Sequence, residues 1–470
     1  MEAPVSDEEH GPERRTTFTE VFAESEYRAL FTASALVWVG DYIARAAVTI
    51  LVYQQTSSVA LSAAAFAVSY LPWLVGGPVL SALAERYPYR STMVVCDIIR
   101  MVLVALIAIP GMPVWGMLAL LFLTTLANPP SQAARSATLP QIFPDDRLVL
   151  ALSVNSSSGQ VAQVIGYAAG ATIAAFNPAV ALLINSATFA VSALLIRFGV
   201  RLRAAVSTGE PRHLIRETGE GFRMVFGTPV LRAIAVVVFA SMLFSIVPEG
   251  LAAAWADDLT TTEAGRGAAQ AIIMVSNPVG FILGSLVVGR LLRPATRRAI
   301  VRPFAILGPL MLVPALLNPS PVVVALLSAA SGFAVAGMLP VANGLFVQAL
   351  PEGYRARAFG VMNTGMQVIQ GGAVLLTGVL AGWFGIADVV GWWCLAGVLL
   401  MVVLTRYWPS DARFDAAIAA ARAPRPTQPA HAQDGPPSSS NGQHLPAQGT
   451  AGEVRPDATR TGPTTDARAH

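Results

Sequence analysis

The sequence repeats itself at an offset of 207 residues, and this repeat limits the folds that the chain can adopt. The two copies align at charged, amide, glycine and proline positions: Gly77, Arg86, Arg90, Pro144, Asp145, Gln160 and Gln163 align with Gly284, Arg293, Arg297, Pro351, Glu352, Gln367 and Gln370. The sequence between these positions is almost uniformly apolar. We therefore interpret the repeat unit as a bundle of membrane-spanning helices, present twice in parallel around an axis normal to the bilayer.

The composition is that of a membrane protein. The mean hydropathy is +0.57, and only 13% of the residues are charged, whereas soluble domains contain about 25%. The first 27 residues are polar and acidic and contain no apolar core with a cleavage site, so we expect the first span to be retained. The net charge of +3 is spread over the loops, so nucleic acid is not an expected partner.

A helix that crosses a bilayer needs about 20 apolar residues, and the sequence contains twelve such stretches. In the first half we predict spans at residues 29–53, 60–84, 92–109, 114–135, 151–175 and 178–198. In the second half we predict them at 230–252, 266–290, 300–317, 321–347, 357–382 and 386–407. The expected fold class is an all-α membrane protein with two parallel six-helix repeats.

The distribution of arginines among the connections predicts the orientation of these spans. One set of connections contains Arg86, Arg90, Arg135, Arg147, Arg201, Arg203, Arg212, Arg216, Arg293, Arg297, Arg298, Arg355 and Arg357. The opposite set contains only Arg266, near Asp257, Asp258 and Glu263. By the positive-inside rule, both termini and the central linker are expected in the cytoplasm.

The predicted spans and their orientation divide the chain into five regions. They are an N-terminal cytoplasmic segment (1–28), a six-helix bundle (29–198), a linker (199–229), a second bundle (230–408) and a tail (409–470). The amphipathic stretch 215–226 of the linker is expected to lie on the membrane surface. The tail is poor in large apolar residues and is predicted to be disordered, with a partner-binding role as the alternative.

The residue types that are missing restrict the energy source. The chain contains no lysine, and a Walker A loop needs a lysine to reach the nucleotide phosphates. We therefore expect no ATPase site and predict that an ion gradient drives transport. The histidines all lie outside the predicted spans, at His10, His213, His431, His444 and His470. A proton relay inside the membrane would therefore use carboxylates. Cys96 and Cys394 lie in opposite halves and are interpreted as buried apolar residues, so neither a metal nor another cofactor is predicted.

The segment GPVLSALAERYPYR, residues 77–90, resembles the signature of the loop between spans 2 and 3 in the major facilitator superfamily. This resemblance implies the fold of that family and a cytoplasmic gating latch, in which opposite charges hold one conformational state. The latch is expected at Gly77, Glu85, Arg86, Arg90, Asp97 and Arg100. Glu85 and Ser81 replace the usual aspartate and glycine, and ordinary anchoring by positive residues is the alternative.

A second set of motifs resembles the siderophore and macrolide exporter branch of the drug efflux facilitators. These motifs are Gly40-Asp41, Leu51-Val52-Tyr53-x-x-Thr56 and Arg135-x-Ala137-x-Leu139-Pro140. The resemblance covers roughly residues 25–405. It implies export of a natural product or drug, and hence a role in drug resistance.

Asp41 is the most central acid of the predicted spans. A charged side chain at this depth costs about 2.5 kcal/mol or more and generally faces a cavity. Asp41 is therefore a candidate for proton coupling or for binding a cationic substrate. Arg45 follows one turn later on the same helical face, so a permanently charged structural pair is the alternative.

Glu249, near the outer end of the seventh span, is a second candidate for proton coupling. An interfacial carboxylate in water is the alternative. In antiporters of this superfamily the fifth span often carries Gly-x-x-x-Gly-Pro-x-x-Gly-Gly. Gly166 and Gly170 match this motif, whereas Tyr167 and Ala171 replace the proline and the second glycine, and helix packing alone also explains the two glycines.

Amides and aromatic residues predict a central cavity. Its candidate residues are Trp38, Tyr42, Arg45, Asn155, Gln160, Gln163, Asn363, Gln367 and Gln370. Unpaired amides facing hydrocarbon are costly, so they should face protein or a wet cavity. Lipid-facing or packing roles remain the alternative for the two aromatic residues. A cavity with few fixed charges suits a bulky amphipathic or uncharged ligand.

The sequence thus predicts a monomeric, proton-driven exporter of a small amphipathic molecule in the plasma membrane of a bacterium. Such an antiporter makes no covalent change and is not an enzyme. The alternatives are an uptake carrier on the same fold and a membrane sensor or scaffold that acts through the tail.

Overall fold

The computed structural model describes residues 17–73, 87–143, 147–203, 214–291, 294–351 and 354–422. Within these ranges the chain is helical and forms no strand. Each predicted span coincides with at least one helix, which confirms the all-α fold with twelve spans. Eight described helices are long and apolar enough to cross a membrane by themselves. The remaining spans are the second to the fifth, which are divided, partly described or rich in polar residues.

The first bundle begins after a short helix, Phe18–Ala23. Its spans, in order, are Ser25–Thr56, Val59–Val68, Tyr89–Ile107, Val114–Leu126 with Asn128–Ile142, Arg147–Phe176 and Pro178–Gly199. The fourth span is divided at Ala127, and Pro129 lies in the first turn of its second segment, where a missing backbone N–H costs nothing. The second span is described as far as residue 73.

The second bundle follows the linker helix Leu214–Gly227. Its spans are Pro229–Ser245 with Val247–Leu259, Glu263–Leu291, Pro294–Leu310 with the 3-10 helix Val313–Leu317, Pro321–Gln348, Arg355–Phe384 and Ile386–Arg406. The linker helix packs on the start of the eleventh span, where Gly221 lies against the backbone of Arg357. The placement of this helix on the membrane surface stays a prediction.

The prediction that the tail is disordered from residue 409 onward is wrong for residues 411–422. A helix, Asp411–Arg422, follows the twelfth span directly. Phe414 is 1% exposed, and its ring lies 5.4 Å from that of Trp408. Asp415 pairs with Arg298 at 2.9 Å. The segment is poor in large apolar residues, but Phe414 and Ile418 lie one turn apart on the same face of the helix, and both are buried. Residues 423–470 lie outside the described ranges.

The two bundles meet on one side of the membrane. We call the side where the first span begins and the twelfth ends the terminal side, and the opposite side the distal side. On the distal side Gly267 lies against Ala175, and Gly378 lies against Ala63. Polar contacts cross the same seam, because Tyr53 donates to Asp257 at 3.3 Å. The distal side is therefore sealed by contacts between the bundles.

The terminal side has no comparable seal among the described residues. The fifth span packs on the eighth across the seam, but neither the fifth nor the fourth span makes substantial contact with the tenth or eleventh span. Polar side chains in the terminal halves of the spans are exposed, including Ser156 and Ser157 on the fifth span and Asn363 on the eleventh. We interpret the space between these exposed polar faces as a passage that opens toward the terminal side.

The eighth and tenth spans cross in close backbone contact. Gly280 lies against the carbonyl oxygen of Ala329, and Gly332 lies against the carbonyl oxygen of Asn277. Small residues permit this approach, which supplies the van der Waals packing that holds helices together in lipid.

We predict that Gly280→Ala destabilises the second bundle. A Cβ at this position meets backbone atoms that cannot rotate away, and such overpacking costs about 1–3 kcal/mol. The thermal unfolding midpoint of the purified chain in detergent measures the effect. Gly344→Ala on the tenth span is the control, because its Cβ meets open space. Equal midpoints for the two variants would contradict the close crossing.

Candidate functional site

Asp41 of the first span is paired with Arg100 of the third. One guanidinium nitrogen of Arg100 lies 2.7 Å from both carboxylate oxygens of Asp41. The side chains are 2% exposed for Arg100 and 23% exposed for Asp41. Arg100 also lies over the ring of Phe189, 4.2 Å from its centroid. The carboxyl group of Asp41 therefore has a buried counter-charge.

The alternative in which Asp41 pairs with Arg45 is wrong in this conformation. Arg45 lies one turn further along the first span but extends toward the second and fifth spans, where aromatic groups surround it. The nearby Arg100 reaches Asp41 from the third span instead. The spacing of Asp41 and Arg45 along one helix indicates only that they share a face. It cannot reveal that Arg100, 59 residues away from Asp41, competes for the carboxylate.

A second ion pair lies in the same bundle. Arg135 of the fourth span lies 3.3 Å from Asp97 of the third. Ser192 donates to the same Asp97 oxygen at 2.6 Å, and Arg135 donates to Ser34 at 2.7 Å. This second pair joins the first, third, fourth and sixth spans in a single polar network, in which every ionised group is buried.

Arg45 lies in a cage of aromatic rings. Its guanidinium carbon is 5.3 Å from the ring centroid of Tyr42, 5.5 Å from that of Phe66 and 5.0 Å from that of Tyr70. It donates to the hydroxyl of Tyr70 at 3.1 Å and to that of Tyr167 at 3.5 Å. Cation–π attraction and these hydrogen bonds replace the water that the guanidinium loses.

Glu249 faces this cage from the second bundle. It is 3% exposed, which excludes the alternative of an interfacial carboxylate in water. The charge of Arg45 and the hydroxyl of Tyr167 both act on its carboxyl group. Its second carboxylate oxygen has no hydrogen-bond partner among the described residues. No described cation lies within ion-pair distance of Glu249.

Three residues of this site were not predicted from the sequence. Phe66, Tyr70 and Tyr167 complete the cage, and Tyr167 had been noted only as a departure from the antiporter motif. Tyr167 occupies the position where that motif has its proline, so the departure was itself the available signal. Phe66 and Tyr70 lie in an apolar segment that gave no indication of their role.

The amide candidates lie along the passage in the fifth and eleventh spans. Asn155, Gln160, Gln163, Gln367 and Gln370 are half-buried, and Asn363 is exposed. Asn155 leaves its side-chain oxygen without a partner in the described protein. Gln370 contacts the sulfur of Met242 at 3.3 Å. Trp38 and Tyr42 are half-buried on the first span.

The gating-latch candidates are only partly described. Gly77, Glu85 and Arg86 lie outside the described residues. Arg90 donates to the carbonyl oxygen of Val200 at 3.3 Å and so ties the third span to the end of the sixth. Asp97 and Arg100 pair deeper in the bundle with Arg135 and Asp41.

Known proteins resemble this chain in sequence and fold. The sequence profile described as Major Facilitator Superfamily matches residues 30–259. Macrolide efflux protein A of Streptococcus pyogenes is 21% identical over 80% of this chain and 94% of its own length. The nucleoside transporter NupG has a TM-score of 0.65 at 14% identity and covers 82% of this chain and 100% of its own.

A second solved structure gives the same fold. It is a bacterial homologue of the human lysosomal transporter Spinster, in an inward-facing and occupied conformation. Its TM-score is 0.63 at 14% identity, over 85% of this chain and 99% of its own. With the repeated six-helix bundles and the two sequence motifs, these matches agree: the chain has the fold of the major facilitator superfamily of membrane transporters and resembles its drug exporter branch in sequence.

Proposed function

We propose that this transporter exports a small amphipathic molecule in exchange for protons. The observation that carries the proposal is the buried cluster of Arg45, Tyr167 and Glu249, which lies between the two bundles. The carboxyl group of Glu249 and the guanidinium of Arg45 face each other from the two bundles. Protonation of the carboxyl group can therefore be linked to separation of the bundles.

The terminal side is the cytoplasmic side in this proposal, and the membrane is the bacterial plasma membrane. Arginines concentrate on the terminal side, whereas the distal Arg266 is paired with Asp257 at 3.0 Å. By the positive-inside rule both termini are cytoplasmic. The polar passage then opens to the cytoplasm, where cargo for export enters.

The cargo class follows from the lining of the passage. Amides such as Gln163 and Gln367 offer hydrogen bonds, and Trp38 and Tyr42 offer apolar surface, whereas the charged groups nearby are already paired or caged. Such a lining fits a bulky amphipathic molecule. The similarity to macrolide efflux protein A makes macrolides the first compounds to test.

Glu249 fits the coupling role better than Asp41. The carboxylate of Asp41 has a direct counter-ion at 2.7 Å. Glu249 is more deeply buried and lacks such a contact, and a buried carboxylate without an ion pair takes up a proton readily. Cargo binding in the passage would release this proton to the cytoplasm, and the distal side would supply the next one.

The gating latch stays part of the proposal. Arg90 already ties two spans of the first bundle together at the terminal side. Together with Gly77, Glu85 and Arg86 it would stabilise one of the two states, as the family signature implies.

We predict that Glu249→Gln abolishes exchange of cargo for protons while cargo binding persists. The amide is a neutral mimic of the protonated acid and cannot release a proton. The measurement is proton release in detergent on addition of any macrolide that stabilises the wild-type chain in a thermal-shift screen. Asp258→Asn, an exposed acid of the same span, is the matched control and should release protons normally.

Asp41→Asn separates the two candidate acids. It leaves the buried Arg100 without a counter-ion, so lower protein abundance is expected, with proton release per folded molecule intact. Proton release that survives in Glu249→Gln and is lost in Asp41→Asn would move the coupling role to Asp41.

A truncation distinguishes an exporter from a sensor that acts through its tail. We predict that a chain ending at Arg422 keeps most of the wild-type flux in proteoliposomes. The cut must follow Arg422, because an earlier one removes the buried Phe414 and Ile418 and would confuse misfolding with lost signalling. Loss of function in a well-folded truncated chain would support the sensor, and flux toward the cytoplasm would support the uptake carrier.

A further inference from the structure

We propose that the second bundle binds the headgroup of an anionic phospholipid at its terminal corner, between the seventh and twelfth spans. The site is a groove of about 330 Å³. Its lining includes Arg232, Ala233, Val236, Leu404, Tyr407 and Arg413. Two arginines thus border an otherwise mainly apolar groove at the edge of the membrane.

The internal repeat relates this corner to one in the first bundle. Arg90 of the third span donates to the carbonyl of Val200 at the end of the sixth, at 3.3 Å. Arg302 of the ninth span donates to the carbonyl of Trp408 at the end of the twelfth, also at 3.3 Å. In each bundle an arginine thus ties the third span of that bundle to the end of its last span, although the 207-residue offset aligns Arg90 with Arg297 and not with Arg302.

An internal carboxylate fills the corner of the first bundle. Glu26 is 3% exposed and accepts hydrogen bonds from the guanidinium of Arg203 and, at 3.1 Å, from the backbone N–H of Arg201. The hydrogen bond to Glu26 raises the pKa of Arg203, so this basic group stays charged. An anion held by arginine is thus part of how the first corner packs.

The second corner has two arginines of its own, Arg232 and Arg413, and no acid at the position of Glu26. At the offset of the repeat, Ala233 takes the position of Glu26, and it lines the open groove. No described acid forms an ion pair with Arg232 or Arg413. An external anion at this place would supply the charge that Glu26 supplies in the first bundle.

The position of the groove selects a phospholipid as the source of that anion. Arg232 lies in the first turn of the seventh span, where the helix enters the membrane. Val236 and Leu404 continue the groove along the spans and can contact an acyl chain. Tyr407 is 79% exposed, as is typical of aromatic residues at headgroup depth. Basic pockets between spans recognise lipid phosphates in this way.

The test compares lipids and variants of the full chain by native mass spectrometry in detergent. We expect the wild type to bind dioleoylphosphatidylglycerol at least about tenfold more tightly than dioleoylphosphatidylcholine. The double variant Arg232→Gln/Arg413→Gln should lose this preference. The control Arg28→Gln/Arg223→Gln, which removes two exposed arginines elsewhere, should keep it.

A second pair of variants tests the site without removing its arginines. Ala233→Glu supplies the carboxylate of the first bundle and should abolish the preference for phosphatidylglycerol, whereas the uncharged Ala233→Gln should retain most of it. This pair also decides the question if the double arginine variant does not fold. An unchanged preference in Ala233→Glu would overturn the proposal. Equal losses in the arginine variant and its control would also overturn it, as would equally tight binding of inorganic phosphate.

Discussion

The cost of placing a charge inside the membrane governs the arrangement of this transporter. Five charged side chains of the described residues are almost fully buried: Glu26, Asp97, Arg100, Arg135 and Glu249. The first four form ion pairs: the pairs of Arg100 and Arg135 join spans to each other, and Glu26 ties the first span to Arg203, just after the sixth. Because an unpaired ion in hydrocarbon costs several kcal/mol, these contacts hold the first bundle together as one rigid body. Glu249 is the exception, and it faces the other bundle.

The repeat gives two bundles of the same construction with different charges. The first bundle contains the buried ion pairs, and the second contains Glu249 as its only deeply buried charge in the described part. Helix packing in the second bundle depends instead on close backbone contact, as at Gly280 and Gly332. A duplicated scaffold can thus keep its geometry through packing, while the charged residues of each copy take separate roles.

The spans could be predicted from the sequence because hydropathy and length decide whether a helix crosses the bilayer. The charge pairs could not, because their partners lie far apart along the chain: Asp41 and Arg100 are 59 residues apart, and Asp97 and Arg135 are 38 apart. The helix Asp411–Arg422 was missed for a related reason, since its stability comes from packing on the second bundle rather than from its own composition. Contacts between elements, which composition does not record, set the candidate site.

The strengths of these contacts indicate which of them change during transport. Within the first bundle the Asp41–Arg100 contact is 2.7 Å long and buried. Across the seam, Tyr53 reaches Asp257 at 3.3 Å, and Gln270 reaches Ala46 and Thr49 at 3.4 Å each. Long hydrogen bonds between neutral donors and their acceptors are weak, and the glycine and alanine surfaces beside them separate without leaving charges unpaired. In the proposed cycle, rocking of the bundles would therefore break the seam and preserve the ion pairs, and the environment of Glu249 would be the part of the buried charge distribution that changes.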